Sequence, residues 1–457
     1  MSYINNEVIN IGSRVEMFID KYIIAKMDNT TLKLNTPVKK EIVMQFDKPW
    51  EGATGAYFTV LKDDGLIKLY YRGDCPDIDT NPQQITCYAV STDGINFTRP
   101  ALNLYDYFGL DNNIIWKGIE SHNLTPFKDD RPCVLLEHKY KAVGGATPPG
   151  KSNGQLYALS SNDGVVWKRL MESPILEKGT FDSQNVVFWD TNIKKYRCYS
   201  RYFDKGGFSG VRAIQSCTSD NFINWSDMVE NSYEEDVPKE QFYTNATVLC
   251  PGAEHIYLSF PKRFVPERKK IIEHPVEGVS DAVIMTSRDG VNWDRTFMEA
   301  WCRPGCDYKN WTDRSNMPAL GIVETSPTEF SMYISEHFRH DDNRLRRLAI
   351  RKHGFASVNA GYKAGMFTTK PVIFSGNKLS LNYSTSAAGH IRVGMKDISG
   401  KPIQGFTLED MNPLYGDSVY ENVYWNGGKD LSKISGCPVM LDFEMKDADI
   451  YSLHFGN

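Results

Sequence analysis

Short runs of alternating apolar and polar residues cover most of this chain, a pattern typical of β-strands. Two such runs, Tyr57–Leu61 and Lys68–Arg72, flank Asp63-Asp64-Gly65, which predicts a tight β-hairpin. Almost no segment has a helical period over ten residues. The pattern therefore predicts an all-β fold. Further pairs of runs lie at 122–127 and 140–144, 185–189 and 195–199, 244–249 and 255–259, and 317–323 and 330–334.

A seven-residue phrase repeats along the same part of the chain. It combines Ser, Asp or Asn, usually Gly, and a closing aromatic residue, and each copy follows a strand-like run. Asp, Asn and Gly tolerate the positive φ of tight turns, so each copy predicts the outer hairpin of one propeller blade. The copies are Ser91–Phe97, Ser161–Trp167, Ser219–Trp225 and Ser287–Trp293, with an eroded fifth at 351–355. Five copies predict a five-bladed β-propeller over residues 1–365.

The repeat stops near residue 365, and the remaining residues show short alternating runs without the phrase. Residues 366–457 are therefore predicted to form a β-sandwich packed on the propeller. Blade one is expected to begin near residue 41, after an N-terminal segment whose residues 10–18 pair with the C-terminal region or close the ring. The charged segment 262–278 is predicted to be a mobile loop.

Composition narrows the functional classes. The 457 residues carry a net charge of −5, which does not favour a nucleic-acid partner. No apolar run is long enough to span a membrane, and Met1–Glu7 lacks the features of a signal peptide, so a cytoplasmic protein is expected. No cofactor is predicted, although a structural divalent cation stays an alternative. The sequence does not indicate an oligomeric state.

Polar residues cluster just before the innermost strand predicted for every blade. Because the innermost strands of a propeller line one channel, these clusters are expected to meet at one axial pocket. Cleavage of a glycosidic bond uses two carboxyl groups whose environments separate their pKa values. Glu51, Glu120 and Asp182 occupy equivalent positions on three adjacent blades and are the predicted catalytic residues.

The rest of the clusters supplies amides, cations and aromatic rings that suit sugar hydroxyls and sugar faces. Asn and Asp are also common turn residues before strands, so the functional interpretation depends on their recurrence. The predicted substrate-binding residues are Trp50, His122, Asn123, Gln184, Asn185, Tyr243, Asn245, Arg314, Asn316, Glu336 and His337. The predicted partner is a carbohydrate substrate.

A five-fold propeller with axial acids, followed by a sandwich, resembles the furanosidase-type glycoside hydrolases of families 32, 43 and 68. That resemblance implies three acids on the first three blades, matching Glu51, Glu120 and Asp182. The family 32 motifs Asn-Asp-Pro-Asn, Arg-Asp-Pro and Glu-Cys are absent, and the first and third acids are exchanged between Glu and Asp. Acid and base roles therefore stay unassigned. The chain also resembles uncharacterised bacterial glycosidase-like proteins.

Three alternatives accompany the hydrolase hypothesis. One is a non-catalytic carbohydrate-binding propeller. Another is a glycoside phosphorylase that uses Arg314 and the basic residues of 262–270 to hold phosphate. The third follows from the likeness of the repeat phrase to the Asp-box of sialidases. A sialidase requires six blades and three pocket arginines, and the sequence indicates only Arg314.

Overall fold

The computed structural model describes residues 8–74, 84–151, 153–428 and 430–457. Within these residues the chain is built of β-strands, and its only helices are three short 3₁₀ turns at Ile119–His122, Leu136–His138 and Tyr308–Asn310. The all-β prediction is confirmed. The chain divides into two compact units, one of residues 37–326 and 330–349, the other of residues 8–36, 327–329 and 350–457.

The larger unit contains five four-stranded antiparallel sheets, which we number in chain order. Sheet one comprises Ala56–Asp63, Leu66–Asp74, Gln84–Ser91 and Ile114–Lys117; sheet two comprises Thr125–Lys128, Tyr140–Ala146, Gln155–Ser161 and Lys168–Arg169. Sheet three comprises Val186–Asp190, Lys195–Phe203, Arg212–Ser219 and Val229–Glu230; sheet four comprises Val248–Cys250, Ala253–Ser259, Met285–Ser287 and Trp293–Asp294. Sheet five comprises Val323–Ser326, Glu329–Glu336, Arg344–Arg351 and Val38–Gln45.

The first strands of the sheets, or the residues just before them, surround one cavity of about 450 Å³. Its walls come from 59–62, 126–128, 186–189, 247–249 and 320–322. The Val60 amide donates to the Leu320 carbonyl at 2.7 Å, which joins sheet one to the segment leading into sheet five. Each of the five sheets therefore contributes one segment to the wall of this cavity.

Each repeat phrase connects the third strand of a sheet to the polypeptide that forms its outer edge. In the first copy, the Gly94 amide donates to Ser91 Oγ at 2.9 Å, and the amides of Ile95 and Asn96 donate to Asp93 Oδ1 at 2.8 Å. The other three copies repeat these bonds. The residue after Asp or Asn has a φ between 70° and 79° in all four copies, which explains the Gly.

The repeat phrases also join neighbouring sheets. Tyr333 Oη of sheet five donates to the Gly94 carbonyl at 2.8 Å, and Tyr199 Oη of sheet three donates to the Gly290 carbonyl at 2.8 Å. Lys68 Nζ of sheet one donates to the Asp163 carbonyl at 2.7 Å. Each of these turns therefore packs against the second strand of the preceding sheet. The repeat phrase both forms the turn of its own hairpin and bonds its sheet to the neighbouring one.

Two predictions about element position were wrong. Val38–Gln45 does not begin sheet one; it pairs with Arg344–Arg351, with Met44 opposite Leu345, as the outer strand of sheet five. The burial of Met44 and Leu345 in one apolar cluster favours this pairing. The segment 262–278 is also not wholly a loop, because Lys262–Val265 pairs with Gln241–Phe242 and Val279–Ala282 in an additional three-stranded sheet.

The smaller unit is a ten-stranded sheet with its own apolar core. Two long strands, Lys378–Asp397 and Pro438–Gly456, pair along most of their length. Val15 pairs with His454, so the expected pairing of residues 10–18 with the C-terminal region is confirmed. The other strands are Ile9–Gly12, Val15–Met17, Ile24–Asp28, Thr31–Leu34, Ala356–Ala360, Gly365–Thr369, Val372–Phe374 and Asp417–Asn422.

This sheet divides the chain differently from the predicted boundary at 365/366. The four N-terminal strands pair with strands after residue 355, for example Leu34 with Ala356. Their backbone groups find hydrogen bonds there, and the buried side chains of Ile9, Ile11 and Phe18 belong to the same core. Residues 8–36 are therefore part of the C-terminal unit and not of the predicted 1–365 propeller.

Candidate functional site

The polar segments that precede the first strands contact one another. Tyr57 Oη donates to the Asp182 carbonyl at 3.2 Å, and Ser183 Oγ donates to the Tyr243 carbonyl at 2.6 Å. Lys262 Nζ donates to the Asp313 carbonyl at 2.9 Å. These bonds join sheets one, three, four and five at one end of the unit.

Glu51 and Glu120, two of the three predicted catalytic acids, are fully buried in ion pairs. Glu51 accepts hydrogen bonds from Arg99 Nε at 2.7 Å and Tyr71 Oη at 2.6 Å. Glu120 accepts from Arg169 Nε at 2.5 Å and from the Trp116 indole at 3.0 Å. Neither carboxylate lines the pocket described below. A glutamate recurs at this position because it forms the same ion pair with an arginine in both sheets.

That bond follows the repeat phrase. Arg99, Arg169 and Arg295 each stand two residues after the closing aromatic residue of a copy. Arg295 Nη2 donates to Glu240 Oε2 at 2.6 Å, as the other two donate to their own glutamates. An arginine at a fixed offset in three copies was the sequence signal for these pairs. It identifies the glutamates as anchors of the outer hairpins.

Trp50 is a core residue and not a stacking platform. Its indole donates to Asn113 Oδ1 at 2.9 Å, and its ring packs edge-on against Tyr107 at 5.3 Å between centroids. Only 4% of its surface is exposed. A sugar therefore has no access to the ring.

The predicted amides hold the backbone of the converging segments. Asn123 and Asn185 both donate to the carbonyls of Phe181 and Ser183, and Asn316 donates to the carbonyls of Ser280 and Asn310. The remaining two behave alike: Gln184 donates to the Phe58 carbonyl at 3.2 Å, and Asn245 accepts from the Thr247 amide at 3.2 Å. All five side chains are buried, so they position the segments.

Glu336 and His337 lie in a separate charged cluster. Glu336 Oε2 accepts from Arg344 Nε at 3.0 Å and from Arg346 Nε at 2.9 Å. His337 lies between two carboxylates, with Nε2 2.7 Å from Asp307 Oδ2 and Nδ1 2.9 Å from Asp342 Oδ2. These partners account for both predicted residues structurally.

His122 contacts the backbone of Asp182. Its Nε2 lies 2.9 Å from the Asp182 carbonyl, and its Nδ1 lies 2.8 Å from Gln84 Oε1. Burial, followed by the charge of Arg72, lowers the pKa of His122 to about 4. The ring is therefore neutral at pH 7, and donation from Nε2 to the carbonyl is compatible with a Gln84 amide turned to donate to Nδ1.

Asp182, Tyr243 and Arg314 do lie together, in a pocket of about 230 Å³. Aromatic rings form much of its wall, including those of Phe203, Phe208 and Tyr243. The Asp182 side chain is 30% exposed and accepts from Arg201 Nη2 at 2.6 Å. The pocket is lined by Asp182, Arg201, Phe203, Phe208, Arg212, Tyr243, Phe264, Val276, Asp313 and Arg314.

Asp313 is the second carboxylate of the pocket and was not among the predicted site residues. Its Oδ1 lies 3.0 Å from His274 Nε2 and 3.3 Å from Arg339 Nε. Burial alone raises the pKa of the Asp313 carboxyl, but the His274 hydrogen bond and the neighbouring cations outweigh it and lower the pKa. Asp313 is therefore an anion at neutral pH.

Sequence reasoning missed two of the three pocket arginines. Arg201 lies on the second strand of sheet three and Arg212 begins its third strand, opposite Phe203. Both fit an ordinary strand pattern and carry no motif. The sequence-based count of one pocket arginine was therefore too low.

No group of three or more His, Cys, Asp or Glu side chains among the described residues is placed to hold a metal ion. In the same part of the chain, no helix is long and apolar enough to cross a bilayer.

No family model matches the chain, and no curated protein is significantly similar to it. Solved structures similar to it include glycoside hydrolases, the class that the sequence resembles. One, described only as a glycoside hydrolase, is 10% identical with a TM-score of 0.48 and covers 70% of this chain and 92% of its own. Similarity at this level assigns neither a substrate nor a catalytic residue to this chain.

Two other structures have comparable scores. The Penicillium chrysogenum α-L-arabinanase complexed with arabinobiose is 10% identical, with a TM-score of 0.45 and coverage of 70% and 99%. A member of a family of mannoside phosphorylases that contains glycoside hydrolases targeting β-1,2 mannosidic linkages in Candida mannan is 13% identical, with a TM-score of 0.41 and coverage of 72% and 95%.

Proposed function

We propose that the protein is a glycan-processing enzyme, a glycoside hydrolase whose larger unit is a five-bladed β-propeller and whose smaller unit is a sandwich-like β-domain. The proposal rests above all on one observation: two carboxylates, Asp182 and Asp313, share a pocket with aromatic walls. Aromatic faces suit the apolar faces of sugar rings, and paired carboxylates suit cleavage of a glycosidic bond.

The two carboxylates have different surroundings, as such chemistry requires. Asp313 is 4% exposed in its side chain and is held as an anion by His274 and the cations around it. This favours a role as base or nucleophile, or as a stabiliser of developing positive charge. Asp182 precedes sheet three, whereas Asp313 precedes sheet five, and the greater exposure of Asp182 suits contact with the leaving group. In this proposal Asp182 keeps the catalytic role predicted from the sequence, and Asp313 takes the place of Glu51 and Glu120.

The test is hydrolysis of a panel of chromogenic glycosides and oligosaccharides. Asp182→Asn and Asp313→Asn are expected to lower kcat at least 100-fold on the best substrate. The matched control is Asp220→Asn, which changes a carboxylate that is 79% exposed and lies on a repeat turn outside the pocket lining. Thermal melting of each variant separates lost chemistry from lost folding. Activity unchanged in both pocket variants would exclude this assignment.

A glycoside phosphorylase is the second candidate, because Arg201, Arg212 and Arg314 meet in the pocket. Guanidinium groups bind phosphate oxygens in a bidentate geometry. Of the basic residues first considered for phosphate, Lys262 is buried at the pocket, whereas Arg263 pairs with Asp281 and Glu240. Turnover that requires inorganic phosphate and releases a sugar phosphate would support the phosphorylase over the hydrolase.

A further inference from the structure

Arg201, Arg212 and Arg314 form an unusual concentration of positive charge in a small pocket. All three line the same cavity of about 230 Å³, and their only carboxylate neighbours in its wall are Asp182 and Asp313. Lys262 lies beside them, with Nζ 3.9 Å from the centre of the Tyr243 ring. Four cationic side chains therefore lie close together, and only two carboxylates line the same pocket.

The carboxylates do not use up the hydrogen-bonding capacity of these arginines. Arg201 donates from Nη2 to Asp182, but its Nε is buried without a hydrogen-bond partner. Arg212 donates from Nη1 to the neutral Gln241, and its Nε is also buried and unpaired. Arg201 is 3% exposed. Buried donors in native proteins almost always have a partner, so Arg201 and Arg212 hold hydrogen-bonding capacity that the described residues do not satisfy.

One of the two pocket acids, Asp313, also contacts side chains that do not line the pocket. Asp313 Oδ1 is held by His274 and Arg339, so Arg314, whose Nε is 3.5 Å from Oδ2, shares that carboxylate with both of them. Burial and then the charge of Arg314 lower the pKa of Lys262, as expected where cations crowd together. The pocket therefore carries a local excess of positive charge.

The walls distinguish between possible anions. The rings of Phe203 and Phe264 already lie against guanidinium groups, Phe203 against Arg201 and Arg212 and Phe264 against Arg212. A bare phosphate would contact the guanidinium groups but leave the ring of Phe208 unused. Phe208 is 56% exposed at the edge of the pocket, where a ring can lie against it. A cavity of 230 Å³ is smaller than the pockets that hold drug-sized ligands, and it suits one sugar ring.

We propose that this pocket recognises an acidic sugar, a uronic or ulosonic acid residue, and that Arg201, Arg212 and Arg314 bind its carboxylate. Phe208 then lies against the sugar ring, and the glycosidic bond extends toward Asp182. This inference rests on the proposed function for the identity of the ligand as a glycan. It adds that the substrate is anionic at this subsite, which net charge alone did not predict.

The experiment measures binding without turnover. Isothermal titration calorimetry of the full chain compares glucuronate, galacturonate and N-acetylneuraminate with methyl glucoside, methyl galactoside and inorganic phosphate. At least one acidic sugar is expected to bind at least tenfold more tightly than the neutral sugars. The affinity is expected to fall as salt concentration rises, because the contact is ionic.

Two variants identify the groups responsible. Arg314→Gln and Arg212→Gln are each expected to weaken binding of the acidic sugar at least tenfold, with little change for neutral sugars. Arg212→Lys keeps the charge but removes the forked donor geometry, so partial loss is expected. Arg303→Gln, at an exposed position outside the pocket lining, is the matched control and is expected to bind normally. Thermal melting verifies that each variant is folded.

The outcomes separate the two proposals. Acidic-sugar binding without glycosidase activity would support this inference and contradict the proposed hydrolase. Hydrolysis of neutral glycosides with no preference for acidic sugars would support the hydrolase and overturn this inference. Binding of phosphate with none of the acidic sugars, or binding of none of these ligands, would also overturn it.

Discussion

At the scale of single residues, the hydrogen-bond partners of an acid determine whether a ligand can reach it. Glu51 and Asp182 both precede a first strand, yet one is sealed by Arg99 and the other lines the pocket. Arg99, the partner that buries Glu51 in an ion pair, lies 48 residues away in sequence, so no local pattern around Glu51 indicates it. The fixed spacing of the arginines after each aromatic residue was readable, whereas nothing local marked Arg201 and Arg212.

Glu51→Gln tests whether this acid is structural. Its removal leaves the half-buried Arg99 beside a neutral group, and loss of this ion pair is expected to lower the free energy of unfolding by about 3 kcal/mol. Urea denaturation measures the loss, with Asp220→Asn as an exposed control expected to change stability by less than about 0.5 kcal/mol. A variant of unchanged stability but no activity would restore Glu51 as a catalytic residue.

His122 predicts a specific dependence of stability on pH. Its pKa is about 4 in the folded chain and about 6.5 when unfolded, so the unfolded chain binds more protons between these values. The free energy of unfolding is therefore expected to be constant above pH 6.5 and to fall as pH drops toward 4. The full loss is about 3 kcal/mol.

Other histidines contribute to that loss, since the pKa values of His138, His340 and His454 are also lowered. The contribution of His122 is the difference between the wild type and His122→Gln, measured by urea denaturation from pH 4 to pH 8. The variant is expected to lose less stability on acidification. Parallel pH profiles would contradict the buried, neutral state assigned to this ring.

At the scale of elements, the sequence predicted the hairpins well because their turns depend on local chemistry. Ser, Asp and Gly at fixed offsets determine the same bonds in four copies, wherever the copy lies. Strand partners were predicted less well. Val38–Gln45 pairs with a strand about 300 residues away, and its alternation indicates a strand without indicating the partner.

Gly164→Ala tests the joint between a repeat turn and the preceding sheet. Gly164 has a φ of +79°, and an added Cβ would lie 2.5 Å from Tyr70 Oη. The substitution is expected to lower the free energy of unfolding by about 3 kcal/mol through backbone strain and steric overlap.

Gly65 is the matched control for that substitution. Its φ is +75°, but nothing lies within 4 Å of an added Cβ. Gly65→Ala therefore carries the backbone strain alone and is expected to cost about 1 kcal/mol. The difference between the two variants measures the contact between sheets. Equal losses in urea denaturation would mean that the turn does not pack as closely as the structure has it.

At the scale of the whole larger unit, the strand Val38–Gln45 joins the first part of the unit to the last sheet. Sheet five takes its outer strand from the beginning of the unit, so the first and last parts of the unit are hydrogen-bonded together. Met44 and Leu345 share an apolar cluster with Phe58 and Leu69 of sheet one. The same residues therefore complete sheet five and fasten it to its neighbour.

Met44→Asp and Ile42→Asp place the same charge on this strand in opposite environments. Met44 is 5% exposed and Ile42 is 46% exposed. A buried, unpaired carboxylate at 44 is expected to lower the free energy of unfolding by more than about 3 kcal/mol, whereas the change at 42 stays within about 0.5 kcal/mol. Because the strand closes the array, hydrogen exchange is expected to accelerate first in sheets one and five. Acceleration spread evenly over all five sheets would show that this strand adds stability without serving as the closing joint.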